Sequence, residues 1–378
     1  MPASCSLTRL QVADFRNYHS VDIEPGSALV ALIGDNGSGK TNLLEAISLF
    51  AQGRGLRRAD LSTIARADGP GGFAVSVEAE GALGSCHLGT GIIAGESGRK
   101  ARVNRATASS SAAFSEHLRV IWLTPDQDSL FRGSAGERRR FLDRLVLAVD
   151  PAHGARVSAL ERALRSRNKL LEEPYPDTRW LDAAEHEIAE VAIAVSAARR
   201  ETVERLQHLI NTHCEMASPF PWADVRLIGL LEDRLSCEPA GKVEDWYRAE
   251  LAASRTRDRA AGRTLVGPQT SDLAVRHGPK DMPAIQSSTG EQKALLINLV
   301  LAQARLVSVM SGIAPIVLLD EVAAHLDPRR RRALIDALGE LGGQVWLTGA
   351  DTALIDDLPA TSAQFVVTQG RAERRIIR

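Results

Sequence analysis

The chain has 378 residues, 44% of them hydrophobic and 25% charged, which is typical of a soluble globular protein with room for about two or three domains. Its formal net charge at pH 7 is −1, so overall charge predicts no polyanionic partner, and any such site must be a local patch. No apolar run reaches about 18 residues, and no basic segment precedes an apolar core at the N-terminus. We therefore expect neither a membrane span nor a signal peptide, and no membrane partner.

The four cysteines, Cys5, Cys86, Cys214 and Cys237, are scattered and form no C-x-x-C pair. This spacing predicts neither a zinc site nor a disulfide framework. It fits the reducing interior of a cell, so we expect a cytoplasmic protein.

The first chemical motif follows a predicted strand pair at 7–12 and 21–23 and an apolar strand at 28–33. Segment 34–41 reads Gly-Asp-Asn-Gly-Ser-Gly-Lys-Thr, satisfies G-x-x-x-x-G-K-[ST], and leads into an amphipathic helix. Its glycines let successive N–H groups surround an anion, the Lys40 ammonium can reach outer phosphates, and the Thr41 hydroxyl can ligate Mg²⁺. The predicted nucleotide-binding residues are Gly34, Asp35, Asn36, Gly37, Ser38, Gly39, Lys40, Thr41 and Asn42.

Beyond the motif, the patterns change twice along the chain. Short alternating runs at 73–80, 86–93 and 101–103 predict an antiparallel meander, and 120–123 predicts a further strand. Long helical periodicity begins near residue 134, and an α/β pattern returns after the glycines and prolines of 262–283. The predicted helices are 135–149, 152–172, 178–216 and 243–259, with a strand at 225–230. The chain therefore divides into a lobe at 1–133, an inserted helical lobe at 134–260, and the rest of the first lobe at 261–378.

A second motif, at 315–321, is a continuous apolar run that ends in Asp320 and Glu321. Such a run predicts a strand buried on both faces of a parallel sheet, and ligands gather at the carboxyl ends of these strands. Asp320 is the predicted Mg²⁺ ligand, and Glu321 is predicted to polarise the water that attacks the nucleotide. The alternative is an ordinary solvated strand end.

A third motif, at 287–293, opens a helix. Ser288 and Glu291 have the spacing of a capping box, which explains both residues without any ligand. A capped helix N-terminus is also a phosphate site, and one nucleotide cannot need two such loops from one subunit. If both loops bind phosphate, the economical arrangement is a two-fold dimer with nucleotide between opposite subunits.

Taken together, these motifs resemble an ABC-type ATPase head of the SMC kind, and in detail the RecF family of bacterial DNA-repair ATPases. The resemblance covers nearly the whole chain. It implies an α/β, SMC-like ABC-type ATPase head with an inserted, mostly helical lobe. The segments that carry it are 15–18, 37–47, 138–143, 267–268 with Asp272, and 288–293.

The resemblance also implies roles for residues outside the two main motifs. Gln127 matches a Q-loop residue near Mg²⁺ and the attacking water, although a solvated loop glutamine is an alternative. Ser288 and Gly290 match the signature motif that contacts the γ-phosphate across the dimer. Asp327 matches the D-loop, although it could simply cap the helix that begins at Pro328. Arg57 matches an arginine near the nucleotide. The implied catalytic residues are Glu321, Lys40 and Gln127, and the implied metal ligands are Thr41, Asp320 and Gln127.

Some positions depart from the family pattern. Members commonly carry Gly-Pro-His-Arg-x-Asp, but Gln269 and Thr270 replace the His-Arg pair here. Many family members carry Asp-Asp at the end of the second motif, whereas this chain carries Asp320 and Glu321, which is closer to the wider ABC pattern. Segment 347–350, Leu-Thr-Gly-Ala, lacks the switch histidine of transporter ATPases.

The function implied by the resemblance is ATP-dependent DNA binding in recombinational repair, with weak ATPase activity. The cofactors are ATP and Mg²⁺. The first implied partner is DNA that is double-stranded, gapped or at a single-strand/double-strand junction, bound without sequence preference. The other implied partners are a second copy of the chain when ATP is bound and the mediator proteins RecO and RecR. Alternatives are a transporter ATPase subunit or a defence ATPase. Candidate DNA contacts are the basic clusters Arg54, Arg57 and Arg58; 138–140; 329–332; and Arg371, Arg374, Arg375 and Arg378.

Overall fold

The computed structural model describes residues 2–96, 98–214, 220–349 and 357–375. Their contacts define two compact units. The first unit comprises Met1–Asp128, His213–Trp222 and Ser288–Arg378, and the second comprises Ser129–Thr212 and Ala223–Ser287. The lobe boundaries at 133/134 and 260/261 stay a prediction; by contacts, residues 261–287 group with the helices.

A mostly parallel sheet forms the centre of the first unit. Its order is β15-β14-β3-β13-β12-β8, and all neighbours are parallel except the antiparallel pair of β14 and β15. All four residues of β12 are buried, as predicted for a strand covered on both faces. With strands numbered in chain order, the six are β3 Leu29–Ile33, β8 Val120–Leu123, β12 Ile316–Leu319, β13 Val345–Gly349, β14 Ala363–Thr368 and β15 Arg371–Arg374.

The predicted meander is confirmed as part of a second, antiparallel sheet in the first unit, with the order β2-β1-β4-β5-β6-β7. Burial alternates along β4, which leaves one face toward the core and the other toward solvent. The inward residues join the main hydrophobic core, which also takes in β3 and the first helix. The strands are β1 Ser6–Phe15, β2 Tyr18–Ile23, β4 Phe73–Gly81, β5 Gly84–Ile92, β6 Lys100–Val103 and β7 Ala106–Thr107.

Among the described residues, three α-helices belong to the first unit: α1 Lys40–Ser48, α8 Thr289–Ser311 and α9 Pro328–Gly339. Within the described residues, α8 alone is long and apolar enough, by length and composition, to cross a membrane. However, 72% of its most apolar stretch is buried inside the structure, as expected of a core helix.

The second unit is mainly helical, with a small antiparallel sheet of order β11-β10-β9. The predicted helix at 178–216 is observed as α4, and residues 215 and 216 lie outside the described residues. The predicted helix at 243–259 breaks at Ser254, and a short helix that periodicity missed precedes it. The elements are α2 Ala135–Val149, α3 His153–Glu172, α4 Thr178–His213, β9 Ala223–Ile228, α5 Leu230–Cys237, α6 Ala240–Ala253, α7 Arg255–Ala261, β10 Asp272–His277 and β11 Met282–Pro283.

A buried arginine ties the helices of the second unit together. The Arg167 side chain, on α3, is fully buried and donates hydrogen bonds to Glu185 at 2.9 Å, to Asp258 at 2.8 Å, to Thr264 at 2.8 Å and to the Leu251 carbonyl at 2.7 Å. These partners lie on α4, α6, α7 and the segment after α7. Because a buried charge is tolerated only when it is paired, this cluster fixes how these helices pack.

We predict that Arg167→Met destabilises the protein by about 3–5 kcal/mol, because it leaves the buried Asp258 carboxylate without its cation and leaves Glu185 paired with Arg255 alone. Arg165→Met is the matched control: it lies two residues earlier on the same helix, its side chain is 69% exposed, and its change should stay within about 0.5 kcal/mol. Urea denaturation would measure both, and equal midpoints for the two variants would contradict the role given to Arg167.

Candidate functional site

The predicted phosphate loop connects β3 to α1, at the carboxyl edge of the parallel sheet. Lys40, the first residue of α1, is buried, and its ammonium donates to the carbonyls of Gly34 at 2.6 Å and Asp35 at 2.9 Å. The ammonium is therefore held against the loop backbone, where the loop N–H groups and the helix N-terminus also favour an anion.

Two glycines of the loop are required by close contacts. Gly39 has a φ of 115°, and a Cβ there would lie 2.6 Å from Asn17 Nδ2. A Cβ on Gly34 would lie 2.2 Å from the Val367 carbonyl oxygen of β14. A side chain at position 34 would displace the backbone of β14, and one at position 39 would strain the backbone and displace the side chains of Asn17 and Tyr18.

Segment 15–18 supports the phosphate loop through side-chain hydrogen bonds to the loop carbonyls. Asn17 Nδ2 donates to the Ser38 carbonyl at 3.0 Å, and the Tyr18 hydroxyl donates to the Gly39 carbonyl at 3.1 Å. Asn42 Nδ2 donates to Asn17 Oδ1 at 2.7 Å. Burial raises the pKa of Tyr18, which keeps its phenol protonated as a donor. The sequence marked this segment only through resemblance; its contact with the loop appears in the structure.

A buried carboxylate on α1 binds two arginines. The Glu45 side chain is 1% exposed and accepts from Arg16 at 2.6 and 2.9 Å and from Arg57 at 2.8 Å. Arg57 also donates to Asn42 Oδ1 at 2.6 Å. The arginine predicted to lie near the nucleotide is therefore connected to the phosphate-loop helix through Glu45 and Asn42. Sequence reasoning missed Glu45, although a carboxylate inside an otherwise apolar helical stretch was a visible signal.

The Asp320 carboxylate, directly after β12, meets the start of α1. Thr41 Oγ1 donates to Asp320 Oδ1 at 2.9 Å, and Thr348 Oγ1, on β13, donates to the same oxygen at 2.7 Å. The backbone N–H of Glu321 donates to Thr348 Oγ1 at 2.8 Å, and Glu321 adopts a left-handed backbone with φ 52°. Thr348, which sequence reasoning missed, thus orients both acidic residues. A threonine in the apolar run of β13 was the available signal.

The donor set fits a nucleotide with Mg²⁺. The hydroxyl of Thr41 and the carboxylate of Asp320 are the hard oxygen ligands that Mg²⁺ takes when phosphates and water complete its shell. No group of three or more His, Cys, Asp or Glu side chains able to hold a metal occurs among the described residues, so a metal here would need ligands from the nucleotide. In the described part of the chain, the buried Ser38 hydroxyl has no hydrogen-bond partner, as suits a group that meets a phosphate.

Gln127 lies near this site, but its side chain is hydrogen-bonded to the backbone of its own turn. It belongs to a short 3₁₀ helix, Pro125–Ser129, that follows β8, next to β12 in the sheet. The Asp320 N–H donates to the Leu123 carbonyl at 2.9 Å, so both segments share one edge. The Gln127 Oε1 atom accepts from the Thr124 N–H at 3.0 Å. Its role as metal ligand and catalytic residue stays a prediction.

Ser288, Gly290 and Asp327 are exposed at the starts of two helices. Ser288 caps α8 in a capping box with Glu291, and all its hydrogen bonds within the described residues are to its own helix. Asp327 caps α9 by accepting from the Arg330 N–H at 3.0 Å. Both structural alternatives are therefore present, and the roles of the three residues at a partner's nucleotide stay predictions.

Several arginines of the predicted DNA clusters have internal partners. Arg138 binds Asp272 at 2.7 Å, Arg139 donates to the Ser271 carbonyl at 2.8 Å, and Arg331 pairs with Asp357. Arg371 lines a cleft of about 670 Å³ beside the phosphate loop, together with residues 35–38 and 367–369. Arg378 and Ala350 lie outside the described residues.

Comparison with known proteins gives a family and close relatives. The family model of the RecF/RecN/SMC N-terminal domain matches residues 6–372 of the chain. The DNA replication and repair protein RecF of Mesorhizobium japonicum is 51% identical over 372 residues, which are 98% of this chain and 98% of that protein. The protein of the same name from Brucella abortus is 49% identical over 98% of this chain and 96% of that protein.

Solved structures give the same fold. The recombination mediator protein RecF with ATP, of the RecFOR pathway, has a TM-score of 0.82 at 21% identity and covers 99% of this chain and 100% of that one. An Smc head domain from Pyrococcus furiosus, bound to the C-terminal domain of ScpA, has a TM-score of 0.54 at 16% identity and covers 98% of this chain and 96% of that one. The predicted fold class, an SMC-like ABC-type ATPase head, is confirmed.

We predict that Tyr18→Phe lowers stability by about 1 kcal/mol and weakens ATP binding severalfold, because the phosphate loop loses the hydrogen bond at the Gly39 carbonyl. Tyr175→Phe is the matched control, since Tyr175 is 94% exposed. Thermal unfolding and fluorescent-nucleotide titration would measure both variants. Identical behaviour of the two would show that the Tyr18 hydroxyl does not support the loop.

Proposed function

The chain belongs to the RecF family of DNA replication and repair proteins, and from that premise we propose that it is an ATP-dependent DNA-binding protein of recombinational repair. The observation that carries the proposal is the 2.9 Å hydrogen bond between Thr41 Oγ1 and the Asp320 carboxylate, at the end of a complete phosphate loop. It unites the two protein oxygens that a magnesium–nucleotide site requires. Identity of 51% to RecF over nearly the whole chain disfavours a transporter subunit or a defence ATPase.

In this proposal, residues 34–42 hold the phosphates of ATP. The Lys40 ammonium exchanges its contacts with the Gly34 and Asp35 carbonyls for the outer phosphate oxygens, and the Ser38 hydroxyl gains an acceptor. The cleft beside residues 35–38 leaves room for the rest of the nucleotide. Thr41 and Asp320 hold Mg²⁺, which when bound neutralises charge on the phosphates.

Glu321 is the proposed catalytic carboxylate. It follows the Mg²⁺ ligand Asp320, and its backbone is fixed by the hydrogen bond to Thr348. In this role it accepts a proton from the attacking water as the γ-phosphoryl group is transferred. Gln127 lies just after β8, the strand next to β12. Its carboxamide can orient the attacking water once the Gln127 side chain releases its hydrogen bond to the Thr124 N–H. The expected reaction is slow ATP hydrolysis.

We predict that Glu321→Gln keeps ATP affinity but lowers the hydrolysis rate by about a hundredfold or more, because a neutral amide cannot take the proton. Glu340→Gln, at a side chain that is 64% exposed, is the control. Phosphate release under single-turnover conditions would measure both variants. A rate for Glu321→Gln equal to that of the control would rule out Glu321 as the catalytic carboxylate.

ATP binding is proposed to create a homodimer. Ser288, Thr289 and Gly290 form an exposed, capped helix N-terminus with a hydroxyl and N–H groups that can face an anion. In a two-fold dimer, the γ-phosphate on one protomer would meet this helix start on the other, and Asp327 would lie at the same interface. Charge-assisted hydrogen bonds of this kind contribute about 1.5–3 kcal/mol each, so ADP, which lacks the acceptor, should release the dimer.

We predict that Ser288→Arg binds ATP nearly as well as wild type but neither dimerises nor hydrolyses ATP, because a bulky side chain replaces the hydroxyl at the interface. The control is Ser166→Arg, an exposed serine of the second unit. Sedimentation with ATP and Mg²⁺ would report the mass. A Ser288→Arg protein that still forms dimers would contradict the assignment.

The proposed role of the ATP-bound dimer is to bind DNA at gaps or single-strand/double-strand junctions and, with RecO and RecR, to promote loading of recombinase. Solved relatives are named for the RecFOR pathway, which supports this part of the proposal. The contacts are expected at phosphates, because Arg and Lys side chains at the backbone position a protein without reading sequence.

We predict that DNA affinity falls steeply with salt, with a log–log slope of about −0.9 for each phosphate contact on duplex DNA, because bound counterions are released. Affinity should vary by less than about a hundredfold among sequences of equal length, far below the ratios of specific binders. Anisotropy titrations over a range of salt would test both. Affinity that ignores salt would contradict phosphate-backbone binding.

A further inference from the structure

The solvent face of the antiparallel sheet carries a groove of about 480 Å³, separate from the phosphate loop. Its floor consists of small residues that are paired in register across β1, β4 and β5. Ala13, Ala74 and Gly91 form one row, and Ser76 and Gly89 form the next. A Cβ on Gly91 would lie 2.2 Å from the Phe73 carbonyl, so this floor cannot be built from larger side chains at that point.

Strand β6 supplies positive charge along the groove. Lys100 pairs with Gly91 and Arg102 pairs with Gly89, so each cation ends one of the small-residue rows. Arg105 lines the groove from the turn that follows β6. Lys100 is bonded to Glu96 at 2.6 Å, whereas Arg102 and Arg105 have no hydrogen-bond or ion-pair partner among the residues that the structure describes.

The carboxylates around the groove already have partners. Asp14 accepts from Arg66 at 3.0 Å, Glu96 is bonded to Lys100, and Glu78 lies 3.9 Å from Arg9. The neighbouring cation Arg99 points inward and donates to the carbonyls of residues 49 and 53. The charge of Arg102 and Arg105 is therefore not compensated by nearby described residues, unlike that of many arginines in the clusters identified from the sequence.

Arg105 occupies a strained position. The turn between β6 and β7 has positive φ at both central residues, 49° at Asn104 and 71° at Arg105. Asparagine suits the first position of such a turn, but glycine is strongly preferred at the second, because a side chain there costs conformational free energy. The chain thus keeps a guanidinium at the end of the groove where glycine would be the more stable choice.

We propose that this groove binds the sugar-phosphate backbone of one DNA strand, an inference that rests on the DNA-binding function proposed above. The small floor lets a backbone approach the sheet, and the two unpaired guanidiniums match phosphate oxygens in charge and geometry. Of the large apolar residues that line the groove, Phe73, Val75 and Ile92 are buried and Ile93 is 50% exposed. The groove therefore offers few of the apolar anchors that dominate protein interfaces, which favours a nucleic-acid backbone over a polypeptide. No group on the floor reads base edges, so binding is independent of sequence.

Two kinds of variant of the full chain test the charge and the shape separately. Arg102→Ser with Arg105→Gly removes both cations and relieves the turn, so its thermal midpoint should equal or exceed that of wild type. Gly89→Leu raises the floor without changing charge, and a Cβ there meets only Arg102 Cβ at 3.8 Å, an ordinary contact. Arg165→Ser, at an exposed arginine of the second unit, is the control for general charge.

Anisotropy titrations with ATP present would use labelled oligothymidylate and a labelled duplex of mixed sequence. The double variant should bind about tenfold more weakly, and the magnitude of its log–log salt slope should fall by about 1.4 on the single strand or about 1.8 on the duplex, as for two lost phosphate contacts. Gly89→Leu should also bind more weakly. Nucleotide affinity should be unchanged in every variant.

If wild type binds DNA and either the double variant or Gly89→Leu retains full affinity, the groove is not the site, and the proposed function stands without it. A wild type that binds neither probe at any salt would overturn the DNA-binding proposal together with this inference. Loss of affinity for a partner protein, with DNA affinity unchanged, would also overturn it and assign the groove to a polypeptide.

Discussion

The proposed chemistry depends on one hydrogen bond, between the Thr41 hydroxyl and the Asp320 carboxylate, which are 279 positions apart in the chain. The parallel order β3-β13-β12-β8 makes this contact possible, because the carboxyl ends of parallel strands meet at one edge of the sheet. The same edge brings the Thr348 hydroxyl within 2.7 Å of Asp320. A change in strand order, or a register slip of one residue, would separate the phosphate loop from its acidic partners.

A second layer of side chains holds the loop in place. Asn17 and Tyr18 donate hydrogen bonds to the carbonyls at the end of the phosphate loop. Glu45, on α1, pairs with Arg16 and Arg57. Removing one partner of a buried ion pair typically costs about 3–5 kcal/mol, so Glu45 couples loop geometry to the stability of the first unit. A loop that is already ordered loses less conformational entropy when a nucleotide binds, which favours affinity.

Local features could be predicted from the sequence, and long-range contacts could not. The phosphate loop, the buried strand before Asp320 and the capping box at Ser288 follow from residue types at fixed spacing, and the structure contains each of them. Periodicity does not record which elements pack together, and the pairing of Glu45 with Arg16 and Arg57 depends on that packing. The contact of Thr348 with Asp320 depends on it as well. The break at Ser254 was missed for a related reason. The helical pattern continues across it, whereas the bonds of Arg167 to Leu251 and Asp258, on either side of the break, join residues that are distant in sequence.

The central claim, that residues 34–42 and Asp320 form a magnesium–ATP site, is tested most directly by calorimetric titration of ATP and Mg²⁺ into Lys40→Ala. The variant removes the ammonium held at the loop, and Lys169→Ala, at an exposed lysine of α3, controls for the loss of a positive charge. We expect ATP affinity to fall by about a hundredfold or more for Lys40→Ala, in line with the loss of a charge-assisted contact in a buried site, and to stay unchanged for Lys169→Ala. Equal ATP affinity for wild type and Lys40→Ala would contradict the central claim.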